Sequence, residues 1–366
     1  MAHPRILVTG ATGKTGAAVV AQLRERDWPV RALVHRRDAR SAALDALGVE
    51  TIVADLFDPD QLLDAMQGVA RAYYCPPWHP YMLQSAMAFA VAARQARLEA
   101  IVGLTQWLAS PAHPSLATRQ NWLTDNVFAM IPGIARVSVN PGFFADNYLR
   151  LMPFAAHLGL FPWPTGKSRN APPSNEDIAR VAVAALMTPE SHAGRTYRPT
   201  GPMLLSARDM ASVLARVLKR PVMHVDMPMW MFMKALRALG ISPFEQLGIR
   251  SYIDEHRAGA FEFNAPTHHV LEVTGRAPED FETIARRYAA LPDARRTFGN
   301  FLGVFGDFMR IGMTPAYDLA RFEHEQSHPM PPAPRLAIED ERWQIEHGPQ
   351  LTGRPRQSPS QLEAVS

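Results

Sequence analysis

The stretch Val8-Thr9-Gly10-Ala11-Thr12-Gly13-Lys14-Thr15-Gly16 decides the fold of this chain. It follows a short apolar run, Ile6-Leu7-Val8, and precedes an amphipathic run from residue 17 to residue 26. Three glycines at this spacing, between a strand pattern and a helix pattern, are typical of the first turn of a dinucleotide-binding βαβ unit. An ordinary glycine turn is the alternative explanation.

Each glycine of this stretch meets a separate physical need. Gly10 permits a tight turn, Gly13 lets backbone N–H groups approach a pyrophosphate, and Gly16 lets the helix pack closely on the strand. The phosphates then lie at the helix N-terminus, where unpaired N–H groups and the helix dipole attract anions. The sequence therefore predicts a dinucleotide site at the start of the chain.

Composition and charge narrow the class of protein. The 366 residues are 47% hydrophobic, and the net charge of +3 comes from 34 arginines and 4 lysines set against 35 acidic residues. No long basic run is present, so no nucleic-acid partner is expected. The chain has a single cysteine, Cys75, so it cannot form an internal disulfide. It begins without a leader pattern, which favours a cytoplasmic location. The apolar segment from residue 227 to 239 is too short to span a bilayer, so no membrane partner is expected.

The alternation of strand and helix patterns predicts an α/β fold with a doubly wound parallel sheet. We expect a dinucleotide-binding domain over residues 1–150, to which later segments return. A smaller α+β substrate-side domain is expected over 151–290. Apolar side chains over 291–326 suggest packing or a dimer contact, and proline, glutamine and charge over 327–366 suggest a mobile tail. A capping pattern at Ser206 and Asp209 predicts a helix start there, and another helix is expected to be capped near Asn175.

The residues after the second predicted strand indicate the kind of cofactor. This segment reads Val34-His35-Arg36-Arg37 and carries no acid that could bind a ribose hydroxyl. Arginines suit the 2′-phosphate of NADP(H), and Lys14 could reach the same group. The alternative is that Arg36 and Arg37 are only solvated loop charges. After the third strand, Asp55 is placed either near the adenine amino group or as a helix cap.

Several later segments, taken in order, give the chain a family resemblance. The run from Asn140 to Asn147, Asn-Pro-Gly-Phe-Phe-Ala-Asp-Asn, resembles a segment that follows the sixth strand in the NmrA-like branch of the atypical short-chain dehydrogenase/reductases. Asn140 stands where that family has arginine. Further matches are Asn175-Glu176-Asp177-Ile178-Ala179, Thr200-Gly201-Pro202 and Gly275-Arg276-Ala277-Pro278. The resemblance covers roughly residues 4–290.

The resemblance implies a Rossmann-like domain that binds NADP(H), a small C-terminal domain and a substrate cleft between them. Members of the family include quinone or enal-type reductases and also dinucleotide-binding redox sensors or regulators. The expected cofactor contacts are Gly10, Thr12, Gly13, Lys14, Thr15, Gly16, Arg36, Arg37, Asp55, Leu56, Cys75 and Pro76.

The usual proton-transfer pair of short-chain dehydrogenases is missing. None of the four lysines has a tyrosine four residues before it, so no Tyr-x-x-x-Lys pair occurs. The catalytic candidates are Thr105, whose hydroxyl would bind substrate or carboxamide, Arg119, which could stabilise an oxyanion, and His113, a possible acid or base. Thr105 could instead close a strand end, Arg119 could orient the cofactor, and His113 in its proline-flanked loop could be structural or simply exposed. Cys75 is expected to be a buried thiol, and no metal site is expected.

Aromatic side chains indicate the nature of the substrate. Trp78, Phe143, Phe144 and Asn147 are expected to line the cleft, and a methionine-rich cluster over 227–233 could form an apolar pocket or lid, although core packing is its commoner meaning. These side chains predict a small hydrophobic or aromatic substrate. The sequence favours an NADP(H)-dependent oxidoreductase that reduces a carbonyl, quinone or conjugated acceptor, in a monomer or homodimer. The alternatives are a non-catalytic NADP(H) sensor and, less favoured, an isomerase or epimerase that keeps its cofactor bound.

Overall fold

A seven-stranded parallel sheet forms the centre of the molecule, in a computed structural model that describes residues 3–348. Its strand order is β3-β2-β1-β4-β5-β6-β9, which confirms the predicted doubly wound architecture. Two small sheets pair β10 with β8 and β11 with β7. The strands are β1 Ile6–Val8, β2 Val30–Val34, β3 Glu50–Val53, β4 Arg71–Tyr74, β5 Ala100–Leu104, β6 Ala135–Val139, β7 Leu160–Trp163, β8 Arg169–Asn170, β9 Thr196–Tyr197, β10 Leu205–Ser206 and β11 Met223–Asp226.

Helices cover both faces of the sheet, and the alternation of side chains along β1 shows how. Ile6 and Val8 are buried with apolar residues of α1 and α8, whereas Leu7 is buried with α3, α4 and Phe128 of α5. These helices are α1 Lys14–Arg24, α2 Ala39–Ala46, α3 Pro59–Ala65, α4 Met82–Ala96, α5 Leu116–Ala129, α6 Ala145–Leu149, α7 Met152–Leu158 and α8 Asn175–Met187.

The later helices form a second apolar core beside the sheet, together with α6 and α7. Ser206 accepts the Asp209 N–H and Asp209 accepts the Ser206 N–H, which confirms the capping box predicted at this helix start. Ser174, one residue before Asn175, is the N-cap of α8. The helices are α9 Pro189–His192, α10 Ala207–Leu218, α11 Met229–Ala238, α12 Pro243–Arg257, α13 His269–Thr274, α14 Phe281–Ala289, α15 Phe298–Met313, α16 Leu319–Gln326 and α17 Glu341–His347, with 3-10 turns at Pro292–Ala294 and Ala337–Glu339.

The segment from residue 327 to 348 differs from the expected mobile tail. Trp343 on α17 is 1% exposed, and its indole N–H donates to the Trp107 carbonyl at 2.9 Å. Asp340 accepts the Ser110 hydroxyl at 2.8 Å, and the Arg335 N–H donates to the Ala112 carbonyl at 3.0 Å. One buried aromatic anchor and these hydrogen bonds offset the polar, proline-rich composition that suggested disorder. Residues 349–366 of the same prediction lie outside the described part of the chain.

A chain of hydrogen bonds fixes the protonation state of His256 in the second core. Asn170 donates to the Tyr148 hydroxyl at 3.1 Å, and Tyr148 lies 2.7 Å from His256 Nε2. Ser168 lies 2.6 Å from His256 Nδ1 and donates its own proton to the Thr165 carbonyl. The neutral imidazole satisfies both contacts, because it donates from Nδ1 to the Ser168 oxygen and accepts the Tyr148 hydroxyl at Nε2.

Burial lowers the pKa of His256 to about 4. The unfolded chain takes up a proton on this imidazole near its ordinary pKa of 6.5, whereas the folded chain does not until about pH 4. The stabilising contribution is therefore complete above about pH 6.5 and is lost progressively as the pH falls to about 4. We expect this group to remove about 3 kcal/mol from the free energy of unfolding across that window. The free energy of unfolding can be measured in urea at a series of pH values. His256→Gln should reduce its decrease between about pH 6.5 and pH 4, whereas the exposed control His35→Gln should not.

Candidate functional site

The glycine loop after β1 has the close backbone approach that its sequence predicts. Gly10 has a φ of +62°, a left-handed conformation that favours glycine. A Cβ at Gly16 would lie 2.2 Å from the Gly10 carbonyl oxygen, so no other residue fits there without movement of the loop. Helix α1 begins at Lys14 with Gly13 as its N-cap and no side chain bound to its first N–H groups. Gly13 is exposed, and helix N-termini of this kind are suited to bind anions.

The loops after β1 and β4 meet at the point where the strand order reverses. A Cβ at Gly10 would lie 3.0 Å from the Cys75 Cβ, and the Thr9 hydroxyl accepts the Cys75 N–H at 2.8 Å. Ligands of doubly wound sheets bind in the crevice at this switch point. Burial raises the pKa of the Cys75 thiol to about 11, so it is protonated at neutral pH and is a poor nucleophile. Cys75 and Pro76 are both half-buried at this crevice.

Lys14 faces the C-terminal region rather than the loop that holds Arg36. Its ammonium group pairs with Asp146 at the start of α6 and lies 5.3 Å from the centre of the Tyr288 ring. Asp146 also accepts the Tyr288 hydroxyl and lies 3.4 Å from Arg150. Burial works to raise the pKa of Asp146, but these hydrogen bonds and cations hold it below its ordinary value. The ionised carboxylate thus joins the glycine loop to α6 and α14, and the Thr15 hydroxyl adds a bond to Asn175 at 2.9 Å.

The two arginines after β2 have different surroundings. Arg37 donates to the Thr51 hydroxyl at 3.0 Å and lies 3.3 Å from Asp45, so it is held against β3. The Arg36 side chain is 75% exposed, and its nearest described acid, Asp38, is 3.9 Å away. Arg36 is therefore the cation of this pair that is free to reach a bound phosphate.

The loop after β3 has the Asx-turn geometry that its sequence allows. Asp55 is exposed and accepts the Phe57 N–H at 3.0 Å, while Leu56 beside it is half-buried. Asp58, not Asp55, is the N-cap of α3, accepting the N–H groups of Asp60 and Gln61. The Asp55 carboxylate therefore stays outside the helix cap, at the edge of the sheet where the adenine end of a dinucleotide is expected.

Three buried polar side chains lie just beyond the carboxyl ends of β5 and β6. Thr105 Oγ1, Gln106 Oε1 and Asn140 Oδ1 are buried and lack a hydrogen-bond partner within the described residues. The Thr105 N–H donates to the Val139 carbonyl at 2.9 Å, so the two strand ends are adjacent. Seventeen side-chain atoms of the described residues are buried without a hydrogen-bond partner, and these three are distinguished by sharing adjacent strand ends, where a bound ligand is one way to satisfy them. Thr105 was predicted as a site residue, whereas Gln106 and Asn140 were not, although their positions one or two residues beyond predicted strands were an available signal.

His113 and Arg119 contact Glu255 of α12 and the segment around Pro329, respectively. His113 Nε2 lies 3.1 Å from Glu255 Oε1, and both side chains are fully buried. The Arg119 guanidinium donates to three backbone carbonyls, those of His113, Pro114 and Pro329. A cavity of about 260 Å³ beside Arg119 is lined by α5, α12 and the segment around residues 328–336. The structure thus places Arg119 at the junction of the C-terminal segment and α5.

The predicted substrate residues are spread over two environments. Trp78 is 40% exposed and packs on α12, where a Cβ at Gly248 would lie 2.6 Å from its ring. Phe143 lies inside the second core, edge-on to the Tyr148 ring at 5.2 Å. Phe144 packs beside the α1 and α8 core, and Asn147 on α6 is half-buried. Trp78 and Asn147 therefore keep accessible surface, whereas Phe143 is a packing residue.

Residues 3–348 contain neither a cluster of metal ligands nor a membrane-spanning helix. No group of three or more His, Cys, Asp or Glu side chains in this range could hold a metal ion. Within the same range, no helix is long and apolar enough to cross a membrane.

The strand order, the glycine loop and the switch-point crevice define a doubly wound dinucleotide-binding protein with an added helical region. The model of the NmrA-like family matches residues 2–102. The NAD(P)H azoreductase of Xenophilus azovorans is 32% identical over 290 residues, which cover 78% of this chain and 98% of the azoreductase. The chain belongs to the NmrA-like family.

Solved structures agree on the fold. The NADPH-dependent quinone oxidoreductase of Escherichia coli in complex with NADPH aligns with a TM-score of 0.67 at 22% identity, over 77% of this chain and 99% of that one. NmrA, a negative transcriptional regulator solved in complex with NADP, aligns with a TM-score of 0.62 at 18% identity, over 78% of this chain and 95% of that one. At these identities the structures support the overall architecture of the fold.

Proposed function

We propose that this protein is an NADP(H)-dependent oxidoreductase that transfers hydride to a small aromatic, conjugated acceptor such as a quinone. The glycine cradle fits a pyrophosphate, because a side chain at Gly10 or Gly16 would close it. The exposed Arg36 fits a 2′-phosphate. The relative that is 32% identical is named an NAD(P)H azoreductase, which is the same class of reaction on a conjugated aromatic substrate.

The observation that carries this proposal is the buried polar group at the ends of β5 and β6. Gln106 Oε1 and Asn140 Oδ1 can accept N–H groups, and the Thr105 hydroxyl can donate to an oxygen. A carboxamide offers both an N–H₂ group and a carbonyl oxygen, so these three side chains suit the nicotinamide end of the cofactor.

The absence of a Tyr-x-x-x-Lys pair limits the kinds of acceptor that the protein can reduce. The bound cofactor supplies a hydride, and the acceptor gains that hydride and one proton. A quinone or similar conjugated acceptor spreads the resulting negative charge over its ring system, so water can deliver the proton without a tyrosine acid. An isolated ketone would place the charge on one oxygen and would need a general acid. The site therefore favours conjugated acceptors, whose reduction depends on how cofactor and acceptor are positioned and not on a side chain that donates a proton.

Steady-state kinetics with purified protein tests this function. We expect NADPH to be oxidised in the presence of a benzoquinone or naphthoquinone, more slowly with an azo dye, and not measurably with a simple ketone. Thr105→Val keeps the side-chain shape and should lower kcat/KM by roughly tenfold, as expected for the loss of one hydrogen bond. The matched control is Thr124→Val, since the Thr124 hydroxyl is also buried and unpartnered among the described residues but lies in the second half of α5. Tight NADPH binding with no oxidation across quinones, enones and azo dyes would overturn the proposal in favour of a sensor.

Arg36 should set the preference for NADPH over NADH. Replacing Arg36 with alanine removes a charged partner of the 2′-phosphate, so KM for NADPH should rise roughly ten- to hundredfold. KM for NADH should stay within twofold, because NADH has no 2′-phosphate. Arg40→Ala is the control, since Arg40 is a similarly exposed arginine that is already paired with Asp38 at 2.8 Å. An equal loss for both cofactors would show that Arg36 shapes the loop rather than binding the phosphate.

A further inference from the structure

Helix α15 turns its apolar side outward, which is the reverse of the usual arrangement of a surface helix. Of its 16 residues, Val304 alone is fully buried. Seven large apolar side chains on it are between 39% and 78% exposed: Phe298, Phe301, Leu302, Phe305, Phe308, Met309 and Met313. Taken at about 200 Å² for a fully exposed side chain of this size, they present roughly 700 Å² of apolar surface. That exceeds the largest patch of a typical monomeric protein, so this face is built to be covered.

The seven side chains form one continuous stripe. At 100° per residue they span an arc of about 140°, bounded on one side by the glycines at 299, 303 and 306. A Cβ added at any of these glycines would meet nothing within 4 Å, so this edge of the stripe is also open. The opposite side of the helix packs on α7 and α11, which fixes the direction in which the stripe points.

Cations outnumber acids around this stripe, although Asp293 and Asp318 are exposed acids in the segments just before and after the helix. Arg295 and Arg296 precede the helix, and Arg310 lies on its edge. The two helices that pack against it, α7 and α11, contain no acidic residue, and α11 adds Lys234 and Arg237. Asp307 is the acid on α15, and it is paired with Arg310 at 2.9 Å. The apolar stripe thus has a cationic rim.

Amphipathic aromatic side chains stand at the same rim. Trp230 on α11 is 57% exposed, with the Lys234 ammonium 5.7 Å from its ring. Lys234 also donates to the Gly312 carbonyl at 2.9 Å, which ties this pair to the end of α15. Tyr317 is 37% exposed, with the Arg237 guanidinium 5.3 Å from its ring. Tryptophan and tyrosine beside lysine and arginine, around an apolar face, are typical of a helix that lies in a membrane interface.

From these observations we infer that α15 docks the protein on an anionic lipid bilayer, with the apolar stripe in the acyl boundary and the cationic rim on the headgroups. The charges favour this occupant over a second copy of the chain. A twofold contact would bring one cationic rim against another, which costs affinity. An anionic lipid surface instead attracts each of these cations. The sequence predicted no membrane partner because its apolar segment over 227–239 is too short to span a bilayer, but peripheral docking needs no spanning segment.

Vesicle flotation with the full-length protein, without cofactor, tests the inference independently of any enzyme activity. We expect flotation with vesicles of phosphatidylcholine and about one third phosphatidylglycerol, and at least roughly tenfold weaker binding to phosphatidylcholine alone. The triple variant Arg295→Gln, Arg296→Gln and Arg310→Gln should bind the anionic vesicles on the order of a hundredfold more weakly. The double variant Phe301→Ser and Phe305→Ser should lose a similar factor.

Matched controls use exposed methionines elsewhere on the surface. Met130 and Met203 are 72% and 56% exposed and lie outside α15, so Met130→Ser and Met203→Ser should float as the unmodified protein does. Far-UV circular dichroism of each variant checks that it is folded. Failure of the unmodified protein to float with either vesicle would overturn the inference, as would flotation unchanged by the Phe301 and Phe305 substitutions. A dimer in size-exclusion chromatography that the same substitutions convert to a monomer, without vesicle binding, would assign the stripe to self-association instead.

Discussion

Replacing Gly16 with alanine should weaken NADPH binding on the order of a hundredfold or more while leaving the protein folded. The new Cβ would lie 2.2 Å from the Gly10 carbonyl oxygen and 2.7 Å from its carbon, and both atoms belong to the backbone. The loop cannot relieve this overlap by a rotamer change, so it must move away from α1. Such a movement takes the N–H groups of the cradle out of the geometry that binds a pyrophosphate.

Titration of protein with NADPH, followed by cofactor fluorescence, measures this effect. Thermal unfolding of the variant without cofactor should show a cooperative transition, because the overlap is local to the loop. Gly303→Ala is the matched control, since Gly303 also lies in a helix but its added Cβ would meet nothing within 4 Å. That control should bind NADPH normally and gain helix stability of about 1 kcal/mol. If Gly16→Ala binds NADPH as the unmodified protein does, the loop is not the phosphate cradle.

The features that could be predicted from the sequence are those encoded locally. The spacing of the three glycines, the apolar run before them and the helical run after them lie within about two dozen residues, and together they determine the turn, its φ at Gly10 and the close approach at Gly16. The alternation of strands and helices likewise encodes the sheet, because each parallel strand needs a crossover helix. The capping box at Ser206 and Asp209 is a contact over three residues.

The features that could not be predicted join residues far apart in the chain. The sequence predicts that Lys14, in the glycine loop, binds a cofactor phosphate. Its partner Asp146, however, lies 132 positions away in the chain and would compete with a phosphate for the ammonium group. The sequence predicts that Arg119 could stabilise an oxyanion. In the structure its guanidinium donates to the Pro329 carbonyl, 210 positions away in the chain. Nothing within a single helix or strand signals either partner. For α15 the sequence left two alternatives open, packing or a dimer contact, because an apolar pattern does not show what covers it.

The C-terminal segment explains why a stretch of polar composition can nevertheless be ordered. Its anchor is Trp343, whose ring packs against Trp107 at 5.2 Å and against Phe263 at 5.3 Å. The Trp107 indole N–H in turn donates to the Ala260 carbonyl at 2.9 Å, and the Arg198 guanidinium lies 3.5 Å from the centre of its ring. The anchor therefore completes a buried cluster that Trp107 begins.

Replacing Trp343 with alanine should lower the free energy of unfolding by about 3–5 kcal/mol. The substitution leaves a cavity in the buried cluster and removes the N–H that the Trp107 carbonyl accepts, so two costs add. Urea unfolding measures the loss as a shift of the midpoint at an unchanged slope. The control is Ile345→Ala, two residues along the same helix, because Ile345 is 54% exposed and its truncation should cost less than about 0.5 kcal/mol.

A second consequence of this substitution connects the anchor to the site. Trp107 directly follows Gln106, one of the buried polar residues at the end of β5, so a loosened Trp107 should displace the side chains that would hold the carboxamide. We therefore expect kcat to fall together with stability in Trp343→Ala, while KM for NADPH changes little because the glycine loop and Arg36 lie at the other end of the cofactor. Equal free energies of unfolding for Trp343→Ala and Ile345→Ala would contradict the anchoring role of Trp343. A destabilised Trp343→Ala with normal kcat would separate folding from catalysis and restrict the segment to a structural clamp.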